Sequence, residues 1–223
     1  MISSKILGAL YRLEFVKRIK NWVRPIKHRL LGKSGIYRAI EEAERLAGGA
    51  GKIHTVFDVG AATGEYALHF LSAFPNAIIY CFEPFPDSFA QLVKRTAPYA
   101  RRVRLFPHGL HNHEGQLAFY VSPNPDGSSF LDKKIGFKKK MIVQIRCLDD
   151  VVREQRISSI DFLKIDVEGT EYEVLTGGSQ AIKEKVVSAF VEIQPQFKGF
   201  HSRDHFAIFE KLADAGFGWG VLP

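Results

Sequence analysis

An α/β fold with a doubly wound, mostly parallel sheet is predicted by three features of the sequence. Short apolar, β-branched runs alternate with helix-forming stretches through most of the chain. The first run, HTVFDVG (His54–Gly60), ends in a glycine loop that opens directly into a helix. Apolar residues make up 46% of 223 residues, which supports the core of one sizeable domain rather than two.

The elements follow in order. Residues 1–34 read as a basic amphipathic helical arm. Ile6, Leu10, Leu13, Val16, Ile19, Val23, Ile26 and Leu30 recur at steps of three and four, with a kink or break at Pro25. A second helix runs from Ile36 to Leu46, and the Gly48–Lys52 run makes a turn. The main domain is assigned to residues 35–223. After the His54–Gly60 strand, a helix spans Glu65–Ala73 and stops near Pro75. Ala77–Pro84 is a second buried strand, Pro86–Thr96 a helix with proline in its first turn, and Val103–Pro107 a third strand. The pattern then changes. Gln116–Ser122 alternates like an antiparallel strand, and Met141–Cys147 is its candidate partner. Between them lie the turn-rich Asn124–Ser129 and a lysine-rich stretch, Lys133–Lys140, read as an exposed loop or hairpin tip. Leu148–Gln155 is a short helix. Ile160–Asp166 resumes the parallel strands, followed by helical turns at Thr170–Thr176 and Ser179–Glu184 and a strand at Val186–Ile193. Asp204–Ala215 is the final helix, and Gly216–Leu222 starts a last strand.

The net charge of +7 is unevenly placed. Nine Lys/Arg and one acid, Glu14, lie in residues 1–34, while the rest of the chain is near neutral. The basic character therefore belongs to the arm. Two readings stay open for it: a helix lying on an anionic membrane surface, or a basic helix packed on the body or on a partner. Neither aromatic–basic stripes nor body charge favour nucleic acid. No apolar run approaches the roughly 18 residues of a membrane span, and the start lacks a secretory pattern. Cys81 and Cys147 are far apart, which fits a reducing cytoplasm. The expected location is cytoplasmic, with contact at the inner membrane face if the arm binds lipid.

The order strand, D-x-G-x-x-x-G, helix occurs at Asp58, Gly60 and Gly64. Glycine turns the chain sharply and lets backbone N–H groups approach a ligand. The carboxyl end of a parallel strand is where open α/β sheets bind nucleotides. Glu83 ends the second strand, and its distance from the glycine loop is near the roughly 20 residues expected of a ribose-binding acid. Ala62 stands where a dinucleotide loop has its second glycine. That disfavours a pyrophosphate and suits an adenosine with an amino-acid tail, whose ammonium Asp58 binds directly or through water. Asp58, Gly60, Ala61, Ala62, Thr63, Gly64, Glu83 and Pro84 form the candidate cofactor site.

FDVGAATGEY, CFEPFPDSF, HNHEGQLAFYVS, RCLDDVV and above all DFLKIDVEGTEYEVLTGG resemble the FkbM family of methyltransferases. The similarity covers Val56 to about Glu192 and leaves the arm outside. It implies a class I methyltransferase-like (Rossmann-like) fold with an inserted β-hairpin region. It also implies S-adenosylmethionine as cofactor and O-methylation of hydroxyls on sugars, glycans or related metabolites. The family loop commonly carries Asn where Ala62 stands. The fold normally closes with a strand hairpin after the last helix, and only six residues follow Phe217, so the last strand is expected to be absent or cut short.

Methyl transfer to an alcohol requires a positioned acceptor oxygen and a group that takes its proton. Asp166 and Glu168 are the leading catalytic candidates, with Glu192 at the end of the next strand as a third. Glu171 reads as a solvated helix face. HGLHNH brings His108, His111 and His113 together; His111 is the candidate histidine base, and no metal site is expected. Ser128 and Ser129 read either as substrate contacts or as an ordinary turn. Two other function classes compete: a non-catalytic module of the same fold serving assembly, and a nicotinamide-dependent oxidoreductase, which the glycine spacing weakens.

Overall fold

The computed structural model describes residues 26–27, 34–122, 128–131, 139–193 and 202–218. Its elements are β1 (Ile26–Lys27), α1 (Ser34–Ala47), β2 (Thr55–Val59), α2 (Glu65–Ala73), β3 (Ile78–Phe82), α3 (Pro86–Thr96) and β4 (Val103–Phe106). Next come β5 (Gly109–Leu110), β6 (Gly115–Val121), β7 (Lys139–Arg146), α4 (Leu148–Glu154), β8 (Phe162–Ile165), α5 (Glu171–Gly177), α6 (Ser179–Lys185), β9 (Ala189–Glu192) and α7 (Ser202–Asp214).

The main sheet has six parallel strands in the order β1-β9-β8-β2-β3-β4. After β1 at one edge, the chain enters the centre with β2, moves outward through β3 and β4, then returns to β8 and runs out through β9 to pair with β1. The order therefore reverses between β2 and β8, and it is outside the carboxyl ends of such strands that open α/β sheets form their ligand crevice. This is the doubly wound, class I methyltransferase-like arrangement.

Strand residues alternate between the two faces, and the core divides accordingly. Phe57, Val59, Leu163, Ile165, Ala189 and Val191 pack beneath α4, α5, α6 and α7. Val56, Ile79, Cys81, Phe162 and Phe190 pack against α1, α2 and α3. Burial on both faces explains why these strands read as near-continuous apolar runs.

Between β4 and β8 the chain builds a second, three-stranded sheet in the order β5-β7-β6. β6 pairs antiparallel with β7 from Gly115↔Ile145 to Val121↔Lys139, as the alternating patterns predict. β5 joins β7 in parallel and is too short to stand out in the sequence. This small sheet has its own core of Phe119, Val121 and Val143, flanked by Phe85, Phe130 and Met141.

Two expectations change. Lys139 and Lys140 are not a loop tip but the first residues of β7, because β6 is long enough to pair with them. Lys140 Nζ sits 5.5 Å from the centre of the Tyr120 ring. Lys138 lies outside the described residues. At Ile26–Lys27 the arm is strand rather than helix, because β9 offers an open edge with which it pairs from Ile26↔Val191 to Lys27↔Glu192. The helical reading of residues 1–25 lies outside the described residues, as does the chain beyond Gly218.

Candidate active site

Asp58, Lys164, Asp166 and Glu192 meet at the carboxyl ends of β2, β8 and β9. Asp58 stands opposite Lys164 in the ladder. Both share strand parity with residues of the α2-facing core, Val56 and Phe162. Glu192 follows the same parity from Phe190 on β9.

Lys164 is 0% exposed. Its Nζ donates to the Gly60 carbonyl at 2.8 Å, lies 3.0 Å from Asp58 Oδ1 and 3.6 Å from Asp166 Oδ2, and sits 4.8 Å from the centre of the Tyr66 ring. Burial alone lowers a lysine pKa; here the charges of Asp58 and Asp166 outweigh it, and Lys164 is held above its ordinary value as an ammonium. Asp58 is equally sealed, and neither of its oxygens has a partner in hydrogen-bonding geometry among the described residues, so charge binds the pair. Asp166 differs: 18% of its side chain remains exposed. Tyr66, on the first turn of α2, is pushed up to about 12, by burial first and then by Asp166, Glu192 and Glu65 against the pull of Lys164.

The glycine loop is tied to the end of β3 by its own backbone. The N–H groups of Gly60 and Ala61 both donate to the Phe82 carbonyl, at 3.1 and 3.0 Å. Ala62 N–H donates to Glu83 Oε2 at 2.8 Å, and Gly64 N–H to the Ala61 carbonyl at 2.8 Å. Three of these donors are taken up by Phe82 and Glu83 at the end of β3 and the fourth by the loop itself, so these four are not offered to a phosphate. Gly60 (φ +78°) is required by close packing, since a Cβ there would lie 1.9 Å from the Asp166 carbonyl oxygen. Gly64 (φ +88°) makes room for Leu92 of α3 in the same way. Ala62 is left-handed, with φ +47°. Asn enters that region more readily than Ala, which gives the Asn common in related loops a backbone reason. Thr63 is half-buried and accepts from Arg95 Nη1 at 3.1 Å.

Glu83 is the carboxylate with the best-defined hydrogen bonding at this edge. Its Oε2 accepts from Ala62 N–H and its Oε1 from Phe85 N–H, each at 2.8 Å, with Pro84 between them. Burial pushes its pKa up to about 7, against these two hydrogen bonds and Lys164. Each carboxylate oxygen keeps a further lone pair, the requirement for accepting hydroxyl donors such as ribose oxygens.

The turn after Asp166 holds Glu168, half-buried and left-handed at φ +60°. Ser129 is completely buried, and its Oγ donates to the Glu168 carbonyl at 2.8 Å. Ser128 Oγ accepts from Ser122 N–H at 3.1 Å. Both serines are thus tied into the protein's own hydrogen bonding. Glu171 is the plain correction: it is 1% exposed, not a solvated helix face, because α5 turns its first residue under the Asp166–Thr170 turn. Its Oε1 accepts from Val167 and Gly169 N–H, and burial pushes its pKa up to about 7.

His111 is largely buried. Its Nδ1 meets Asn112 Oδ1 at 2.8 Å, its ring edge packs on His113 and Phe130, and burial lowers its pKa. It connects to the carboxylate cluster through Phe130 and the neighbouring Ser129. His108 packs on Phe82 and Phe106 instead. Among the described residues no three His, Cys, Asp or Glu side chains form a group able to hold a metal. Sequence reasoning missed Lys164 and Tyr66. A lysine inside the apolar run DFLKI was the available signal, because a buried lysine demands paired acids.

The FkbM methyltransferase domain matches residues 58–218, and the chain belongs to that family. The 2-O-methyltransferase NoeI of Sinorhizobium fredii is 31% identical over 143 residues, covering 57% of this chain and 58% of NoeI. The methyltransferase sdnD of Sordaria araneosa is 29% identical over 196 residues, covering 71% and 76%. The hexuronic acid methyltransferase AglP of Haloferax volcanii is 28% identical over 155 residues, covering 69% and 59%. The chain thus spans little more than half of NoeI and AglP.

Replacing Lys164 by Met leaves Asp58 as an uncompensated buried charge, and urea unfolding should show a loss of about 3–5 kcal/mol. The double variant Asp58→Asn, Lys164→Met should recover most of that loss. Simple additivity of the two losses would refute the pairing.

Proposed function

We propose that this chain transfers a methyl group from S-adenosylmethionine to a hydroxyl of a saccharide or similar hydroxylated metabolite. The observation that carries the reading is the meeting, at one sheet edge, of the oriented Glu83 carboxylate and the partly exposed Asp166. NoeI and AglP, whose names specify a 2-O-methyltransferase and a hexuronic acid methyltransferase, support the sugar-like acceptor.

Glu83 accepts the ribose hydroxyls, and the chain from Asp58 to Gly64 together with Pro84 shapes the adenosine site. Asp58 is completely buried beside Lys164, so it acts on the cationic end of the cofactor through its charge and not by direct contact. The bound cofactor supplies an electrophilic methyl group. Asp166 or Glu168 takes the proton of the acceptor hydroxyl, with Glu192 and His111 as further candidates for orienting the acceptor. The near-neutral body suits a small-molecule or glycan acceptor better than nucleic acid.

A second reading concerns location. The basic, amphipathic character of residues 1–34 supports peripheral contact with an anionic membrane from the cytoplasmic side. No helix among the described residues is long and apolar enough to cross a membrane.

Three measurements test these proposals. Hydroxyl donors favour ionised Glu83, whose ionised fraction rises as pH increases through about 7. Calorimetric affinity for S-adenosylmethionine should therefore tighten by up to about tenfold from pH 6 to pH 8. Glu83→Gln should bind more weakly and lose this pH dependence; unchanged binding in that variant would remove Glu83 from the site. In a methyl-transfer assay against glycan and hexuronic acid acceptors, Asp166→Asn or Glu168→Gln should lower kcat by about 100-fold or more. Full activity in both would discard the carboxylate base. The full chain should float with vesicles rich in phosphatidylserine more than a form starting at Ser34; equal flotation ends the membrane reading.

A further inference from the structure

Glu168 is held from two directions by side chains that belong to different parts of the fold. Its left-handed backbone, φ +60°, is a conformation that a non-glycine residue keeps only where its surroundings impose it. From the inserted region, the buried Ser129 Oγ donates to the Glu168 carbonyl at 2.8 Å. Ser129 is itself fixed, exchanging two backbone hydrogen bonds with Tyr120 of β6 and accepting from Leu131 N–H. From α5, Glu171 Oε1 accepts from the N–H groups on either side of Glu168, Val167 at 3.3 Å and Gly169 at 3.0 Å.

Packing alone does not explain Glu171. Glu171 Oε2 and Thr170 Oγ1 are buried without a hydrogen-bond partner among the described residues, a cost that an apolar residue would avoid. A buried glutamate retained there is accounted for by the two amides that it ties.

We propose that Ser129 and Glu171 are positioning residues that jointly hold the Glu168 turn beside Asp166, so that the small β5-β7-β6 sheet and the catalytic turn act as one unit. The proposal rests on the reading of Glu168 as a group at the methyl-transfer edge. Ser129 also fixes its neighbour Phe130, whose ring packs against His111 and Phe119. One hydroxyl thus links the inserted sheet, the candidate histidine and the carboxylate turn.

Amide hydrogen exchange on the full chain tests the clamp without needing an acceptor. Glu171→Ala should speed exchange at the Val167 and Gly169 amides by about tenfold or more, with little change at amides of β2 and β3. Glu171→Gln keeps an acceptor oxygen and should restore most of the protection. Ser129→Ala, across the turn, should loosen the same two amides. Unchanged exchange there in Ser129→Ala, or no difference between Glu171→Ala and Glu171→Gln, overturns the clamp. With an acceptor found by the assay above, Ser129→Ala should lower kcat by about tenfold while cofactor affinity stays within about twofold. If Glu168→Gln is fully active while Ser129→Ala still loosens the turn, the clamp stands and Glu168 is not the base.

Discussion

The geometry of the candidate site depends on one buried ammonium. Lys164 sits between two parallel strands, answers Asp58 on one and Asp166 on its own, and donates to the carbonyl at the head of the glycine loop. A charge removed from water this completely is costly, and only close opposite charge makes it tolerable. Asp58, the Gly60 carbonyl and Asp166 must therefore stay where they are, or Lys164 is left unpaired. The glycine loop and the turn after β8 thereby share one electrostatic anchor, and neither shifts alone.

Close backbone approach extends the same coupling. Gly60 lets the loop touch the Asp166 carbonyl, and the Asp166 N–H returns a hydrogen bond to the Val59 carbonyl at 3.1 Å. Gly177, at the end of α5, lets that helix press on the His111 carbonyl, where a Cβ would lie 2.0 Å away. Gly60 and Gly177 thus join the loop after β2 to β8, and α5 to the inserted sheet. Their value lies in packing density, with ligand access a by-product of the shape that results.

The legible parts of the sequence are those governed by local rules. The helices at Glu65–Ala73 and Pro86–Thr96 fall where their patterns place them, because apolar spacing, the Gly64 turn and Pro86 act within a few residues. The fold class was legible for the same reason, and the string DFLKIDVEGTEYEVLTGG carried the family resemblance. What stayed hidden depends on distant chain. Glu171 follows a glycine turn and looks solvated; only the packing of α5 under the Asp166–Thr170 turn buries it. Lys139 and Lys140 resemble a loop until β6 supplies a partner. β5 has two residues and no pattern of its own. Lys164 announced itself only as a polar residue out of place in an apolar strand.

Four of the carboxylates around this edge, Asp58, Glu83, Glu171 and Asp166, have the same chemistry and different surroundings, which divides their work. Asp58 is sealed against Lys164 and serves the charge balance. Glu83 takes backbone N–H groups on both oxygens and keeps lone pairs toward the crevice. Glu171 is spent on the turn beneath Glu168. Asp166 alone combines a cationic neighbour with a partly exposed side chain. Exposure lets it reach a ligand, and Lys164 lies close enough to orient it. Among these four, Asp166 is therefore the carboxylate best placed to meet an acceptor hydroxyl. The other three account for its placement: one supplies the counter-charge of Lys164, one braces the cofactor loop, and one braces the turn that follows.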